Sequence, residues 1–294
     1  MSVIYLNADT GSDTTGTGAI GAPYATFAKA LTVYSASDTI YFQNSTANYS
    51  FLTATIDKNC TITGQSITGV VLNGAGGNPQ WTMRNATIAV SNITFYNAYT
   101  IGSGSYGMFS PSANTSTTNI SFTDCIFRDL HLASHVLAGI FSQLALGAST
   151  TTTITVDRCR FIRIETVGTS STFLGFRTGV STATENFTMR DCTVDFKATL
   201  TGQFYYLDNL AGGTVNQTIK NCIFTVRSGN MNWRTIFGSS TFTCTYTHIY
   251  GVTSVHSSIT SQTGVTQVDP LMVDPDNENY YLRQTSTAIG SGGA

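Results

Sequence analysis

Apolar and polar residues alternate along much of this chain in short runs with a period of two. The pairs Ile88/Val90, Ile120/Phe122, Ile154/Val156 and Phe187/Met189 stand five and three positions before Ile93, Cys125, Cys159 and Cys192. Such alternation marks a strand with one buried face. A bend residue and a second short apolar run follow each pair, as in Asn92–Ile93–Thr94–Phe95, Asp124–Cys125–Ile126–Phe127, Arg158–Cys159–Arg160–Phe161 and Asp191–Cys192–Thr193–Val194. Asn221–Cys222–Ile223–Phe224 has the same form, Asn59–Cys60–Thr61–Ile62 reads as an earlier copy, and Thr243–Cys244–Thr245–Tyr246 as a degenerate last one. The Cys or Ile positions are separated by 33, 32, 34, 33, 30 and 22 residues, a regularity that identifies an internal repeat. Asn and Asp tolerate the left-handed backbone that a sharp bend needs. A third short strand is readable upstream of the Cys, at Met108–Phe109, Ile140–Phe141, Phe173–Leu174 and Tyr205–Tyr206. Three strands per repeat make one coil of a parallel β-helix, whose equivalent residues stack roughly 4.8 Å apart.

The predicted fold is therefore all-β: a single-stranded parallel β-helix, a solenoid of about seven coils, forming one domain over residues 1–294. Residues 1–37 supply an N-terminal strand and a capping helix, 38–228 the regular coils, and 229–294 irregular final coils and a C-terminal cap. The helix is expected from Pro23 to Leu31, because Tyr24, Phe27, Ala28 and Leu31 fall on one helical face behind a proline. It would cover the first core layer, which otherwise meets water.

Charge narrows the function. Only 10% of residues are charged and the net charge is −2, so there is no basic footprint for nucleic acid and no polybasic membrane signal. No apolar run approaches the ~20 residues of a membrane-spanning helix. The opening Met1–Ser2–Val3–Ile4–Tyr5–Leu6 enters a strand directly, without the basic segment and apolar core of a signal peptide. The six cysteines, all placed at the repeated position or in its degenerate copy, read as a column of small buried thiols. Stacked neighbours would lie within disulfide range, but the spacing does not demand oxidation. With no CxxC pair, no metal and no cofactor are expected.

Several segments resemble a known group. Ile4–Tyr5–Leu6, Gly11–Ser12–Asp13, Gly16–Thr17–Gly18, Pro23–Tyr24–Ala25–Thr26–Phe27, Lys29–Ala30–Leu31 and Asp38–Thr39–Ile40 look like the opening of right-handed parallel β-helix proteins of the pectate-lyase-like superfamily. Asp269–Pro270–Leu271, Tyr281–Leu282–Arg283 and Ser286–Thr287–Ala288–Ile289–Gly290 resemble the closing segment of such helices. The resemblance implies the fold; it does not select among the lyases, hydrolases, epimerases, adhesins and phage tail-spike bodies that share it. The chain lacks the Asn-Thr-Asp and Asp-Asp signature of the polygalacturonase-like hydrolases, and its sixteen acidic residues are scattered rather than gathered into the calcium site of the pectate lyases.

One constellation carries candidate chemistry. Just after the second strand of consecutive coils come Arg128, Asp129 and His131, then Arg163 and Glu165, then Asp195 and Lys197, then Arg227. Stacking would align them along one edge of the rod, with carboxylates on adjacent coils roughly 5–10 Å apart, a range that brackets glycosidase acid pairs. Asp129, Glu165 and Asp195 are the acid candidates; Arg128, His131, Arg163, Lys197 and Arg227 are candidates for binding an acidic sugar. The competing reading is a stripe of weak surface salt bridges. His131 and His135 would pair on a helix but not on the expected strand and loop. Trp81, Tyr96, Tyr99 and Tyr106 could stack on sugars or pack in the core.

Together these features favour a non-enzymatic structural or adhesive protein, in its most concrete form a virion (phage) decoration, fibre or tail-spike-like component. Its expected location is a virion or an extracellular surface. The expected partners are copies of itself, as in a homotrimer, other virion proteins, or a cell-surface glycan. The alternatives are a polysaccharide lyase or glycoside hydrolase acting on a surface glycan, and an extracellular carbohydrate-binding module.

Overall fold

A computed structural model describes residues 1–100, 107–112, 117–132, 139–145, 150–166, 172–178, 182–200, 203–209, 213–229, 232–236, 240–251, 261–274 and 279–289. The chain is an all-β parallel solenoid of the right-handed type, with one α-helix among the described residues. Three parallel sheets of ten, eight and seven strands form its walls, and a two-stranded antiparallel hairpin lies near the C-terminus. Within each wall a strand pairs with its equivalents one coil before and one coil after. Ile88, Ile120, Ile154 and Phe187 thus stand in one register of the ten-stranded sheet. Phe109, Phe141, Leu174 and Tyr205 do the same in the seven-stranded sheet, where the third strand was expected.

The bends form as the sequence indicates. Asn92, Asp124, Asp191 and Asn221 have φ of 55°, 52°, 55° and 52°, and Arg158 adopts 50° at the same place. The thiols behind them are buried, Cys125, Cys159 and Cys222 at 0% exposure and Cys192 at 2%. Each Sγ lies over carbonyls of the preceding strand, as Cys159 does over Phe122 and Asp157.

The register corrects both ends of the repeat. Cys60 pairs with Ile88, not with Ile93, so Asn59–Cys60 is not a copy of the bend. The position equivalent to Ile93 is Val70, whose carbonyl accepts from Thr94 N. Cys244 likewise pairs with Ile219, and the buried Thr247 takes the thiol position beside the left-handed Tyr246 (φ 48°). The strict repeat therefore extends over about four turns, from Ile93 to Cys222, instead of the expected seven or so. The flanking turns include strands of two or three residues, such as Tyr49–Ser50, Ala54–Ile56 and His248–Tyr250, too short to hold the full apolar pattern.

The helix starts later than expected, at Phe27, and ends at Val33. Pro23 and Tyr24 remain extended, Tyr24 bridging Leu6, and Thr26 is the N-cap, its hydroxyl accepting from Lys29 N at 3.1 Å. The buried stripe is Phe27, Ala30 and Tyr34, whereas Ala28 is exposed. Phe27 closes the core column by packing on Phe42 and Trp81, with centroids 5.5 and 5.1 Å away. Trp81 is thus a core residue at 0% exposure and no sugar platform.

All six cysteines are free and buried. Burial pushes the Cys60 and Cys244 thiols up to about 12 and raises Cys125 and Cys192 as well. Because all six sulfurs are buried out of a reagent's reach, a thiol reagent at pH 8 should leave the native protein unlabelled over a time that modifies all six cysteines in guanidinium. Mass spectrometry reads the outcome, and rapid native labelling of Cys125, Cys159, Cys192 or Cys222 would contradict a packed column.

Candidate functional site

The eight-stranded sheet carries nearly all the charge of interest, on its outer face and one edge. Its strands Thr94–Tyr99, Ile126–Leu132, Arg160–Thr166 and Thr193–Leu200 pair in parallel. Asn97, Asp129 and Arg163 adopt φ of 51°, 52° and 53° within these strands. This second bend turns the strand ends aside and separates an edge group from a face group. At the edge, Asp129 accepts from Arg163 Nε and Nη2, both at 2.6 Å, and Arg128 Nε reaches it at 3.3 Å. One residue pair further along, His131 Nδ1 lies 2.7 Å from Glu165 Oε2, and Lys197 Nζ lies 3.9 Å from Oε1. Tyr99 stacks on the His131 ring at 4.3 Å and 10°, so this aromatic serves the edge. Arg227 sits in the strand Ile223–Gly229, but its side chain lies outside the described residues, as do His135 and Tyr106.

Asp195 departs from the expected alignment. It pairs in register with Thr225 and stands three residues past its thiol, the place of Arg128 and Ile162, whereas Asp129 and Glu165 stand four and six past theirs. The register shift between Phe161 and Ile164 accommodates Arg163 as an extra residue of the neighbouring strand, and Asp195 lies on the sheet face. There it is 1% exposed. Thr225 Oγ1 donates to its Oδ1 at 2.9 Å, and Tyr280 Oη to its Oδ2 at 3.1 Å. The three predicted carboxylates are thus not brought together, and each is already engaged.

Burial raises the Asp129 carboxyl, but the Arg163 and Arg128 guanidiniums outweigh it and hold the group below its usual range. A carboxyl depressed on folding stabilises the fold above its ordinary value near 4, and that contribution disappears as pH falls through the folded value. Asp129→Asn should therefore cost about 1–2 kcal/mol at neutral pH, since the pair is only partly buried. The gap from wild type should close in acid, once pH has fallen below the folded value. Urea unfolding at the two pH values checks it; a gap that persists in acid would contradict the pairing.

The outer face holds what the edge does not, an uncommitted cation. In the row Thr94, Ile126, Arg160, Thr193 and Ile223, Arg160 is the only charged residue. It is exposed, and no described carboxylate pairs with it, unlike Arg158 and Arg190, which clasp Asp157, and Arg163. Two cavities meet at Arg160. One, about 320 Å³, is lined by Ile67, Thr68, Ile126, Arg128 and Ile162; the other, about 400 Å³, by Thr193, Tyr280 and Tyr281. Tyr96 lies under Arg128, 5.6 Å from ring centroid to guanidinium carbon, and lines an adjoining cavity with it. Residues 65–70 form one wall, held where Thr94 Oγ1 donates to Ile67 O at 2.6 Å. The C-terminal hairpin, Met272–Asp274 with Asn279–Leu282, forms the other.

Arrangements of this kind suit a long ligand with acidic groups. A guanidinium offers a planar fork of donors that matches a carboxylate, and tyrosine rings present flat faces to sugar rings. Arg128 was among the predicted binding residues; Arg160, Tyr280 and Tyr281 were not. The available signal was position: Arg160 is the only charge between thiol and aromatic in Cys-x-Phe, where the other copies carry Ile or Thr.

No family model matches the sequence, and no curated protein is similar to it. The chain is similar to several solved structures. Pectin methylesterase PemA from Erwinia chrysanthemi aligns over 90% of this chain and 80% of its own, with 12% identity and a TM-score of 0.43. A rhamnogalacturonan lyase aligns over 92% and 87%, with 11% identity and a TM-score of 0.36. The alginate lyase AlyGC of family PL6 aligns over 96% of this chain and 42% of its own, with 11% identity and a TM-score of 0.34. All are parallel β-helix proteins, and at such identities and scores the likeness says nothing of what this chain does.

Proposed function

We propose that this protein is a non-enzymatic, rigid adhesive rod that holds an anionic glycan in the groove around Arg160. The reading rests on one contrast. Arg160 stands uncommitted beside Tyr280 and Tyr281, while Asp129, Glu165 and Asp195 are each occupied by cations or hydroxyl donors. Binding needs the first condition, and a general acid or nucleophile is impeded by the second. A stack of parallel strands around a continuous aromatic core is a stiff spacer. We place such a rod on a virion or another extracellular surface, as a decoration, fibre or tail-spike-like component that assembles with copies of itself or with other virion proteins and touches a cell-surface glycan.

The test is binding of a polyuronate oligosaccharide to the wild type and to Arg160→Ala, with reducing-end release measured in parallel. The expected result is binding without cleavage, weakened about 10-fold or more in the variant, as for loss of a charge-assisted hydrogen bond. Equal binding by the variant would sink the reading. A second reading, a polysaccharide lyase or hydrolase, is favoured by the position of Asp195 in a cavity on the same face. Cleavage by the wild type that is lost in Asp195→Asn would establish it.

A further inference from the structure

Beyond Tyr280, the same face opens into another cavity of about 280 Å³, whose lining includes Asp195, Thr225, Tyr250, Asp269, Met272 and Arg283. Its chemistry is opposite to that of the Arg160 groove. Two carboxylates contribute, both fixed from behind. Asp195 is held by Thr225 and Tyr280, and Asp269 Oδ1 accepts from Leu271 N at 2.8 Å, within a turn where Leu271 has φ of 51°. The wall at Gly251 (φ +83°) admits no side chain, because a Cβ there would stand 1.7 Å from Val226 O. Tyr250 is 40% exposed. Arg283 brings one cation, and its Nη2 donates to Val273 O at 3.3 Å.

Ionised carboxylates only accept hydrogen bonds. A ligand group entering here must bring hydroxyl, amide or ammonium donors, and a second anion would be repelled. The spacing links the two sites. Arg160 pairs with Thr193, so Asp195 lies one strand over and two residues along, a diagonal of roughly 7–8 Å. That distance is within reach of substituents on adjacent rings of one glycan chain. Tyr280 belongs to both sites, lining the Arg160 side and bonding Asp195 on the other.

We propose that the face is a bipolar groove that reads an alternating glycan. An acidic sugar lies on Arg160, and its neighbour, a neutral or amino sugar, presents donors to Asp269, with the buried Asp195 behind adding negative charge to the wall. This rests on the anionic-glycan reading of Arg160 and adds the identity of the next ring. Titration calorimetry on the full chain can compare oligosaccharides of equal length, one alternating uronate with N-acetylhexosamine and one an oligogalacturonate. The alternating chain should bind at least about 10-fold more tightly, an advantage of one decade in Kd. Asp269→Asn keeps the bond to Leu271 N, and Tyr250→Ala removes only the exposed ring. Each should shrink that preference, Asp269→Asn also by relieving the repulsion of a second uronate, and Arg160→Ala should weaken both ligands. Equal affinity of the wild type for the two ligands, or a preference that neither variant changes, would overturn the second site and leave the Arg160 reading standing. Failure of both ligands to bind, or indifference to Arg160→Ala, would remove both proposals.

Discussion

Replacing Phe127 by alanine should lower the unfolding free energy by about 3–5 kcal/mol, the cost of emptying a ring-sized space in a core that cannot collapse around it. Phe127 is fully buried. It stacks between Phe95 (5.2 Å, 12°) and Phe161 (4.6 Å, 6°), its counterparts one coil before and one coil after. Phe109 and Phe141 meet it from the seven-stranded sheet, each at 5.7 Å and near right angles, and Phe122 does so from the ten-stranded one. All three walls therefore converge on this side chain. Each coil of a solenoid is stabilised by its neighbours, so the loss should spread along the rod and shift the whole denaturation curve. Phe127→Leu, which keeps most of the volume, should cost less than half as much. Chemical denaturation of the two variants beside wild type measures both effects, and an Ala variant with the wild-type midpoint would mean the aromatic column is not continuous.

Charge reversal at Arg160 should have the largest effect on binding. Arg160→Glu replaces an attraction for an acidic glycan by a repulsion, and affinity should fall about 100-fold or more, two decades in Kd. Arg160→Lys separates charge from geometry. It keeps the cation but loses the fork of donors, so it should recover only part of the affinity. Because the site is exposed, raising the salt concentration should weaken wild-type binding and, by screening the repulsion, bring the Glu variant closer to it. Circular dichroism should show all three proteins equally folded, since Arg160 has no described ion-pair partner to lose. Undiminished binding by Arg160→Glu would move the ligand away from this face altogether.

The repeat was legible because burial forces it. A side chain that points inward once per coil must be apolar, and the bend before it must be a residue that accepts positive φ. Both requirements leave marks at fixed spacing, such as Asp124–Cys125 and Asn221–Cys222. Cys60 and Cys244 misled for the same reason. They are buried apolar residues in strands of the ten-stranded sheet, and inward positions of different walls look alike in sequence. The edge of Asp129, Arg163, His131 and Glu165 was readable because it follows from coil spacing alone. Asp195 was misplaced because it stands three residues past its thiol, in the row of Arg128 and Ile162, and on a strand a step of one residue turns a side chain from edge to face.

The amino-acid order by itself determined the solenoid, its three-walled coil, the thiol column and the charged edge, since each arises from period, stacking and burial. The tertiary structure alone decided which charges remain available. It spent Asp129, Glu165 and Asp195 on partners from other coils and from the C-terminal hairpin, and it left Arg160 facing a groove whose far wall comes from residues more than a hundred positions away. Pairing of that kind depends on distance in space, and nothing in the local pattern of a strand records which remote segment folds across it.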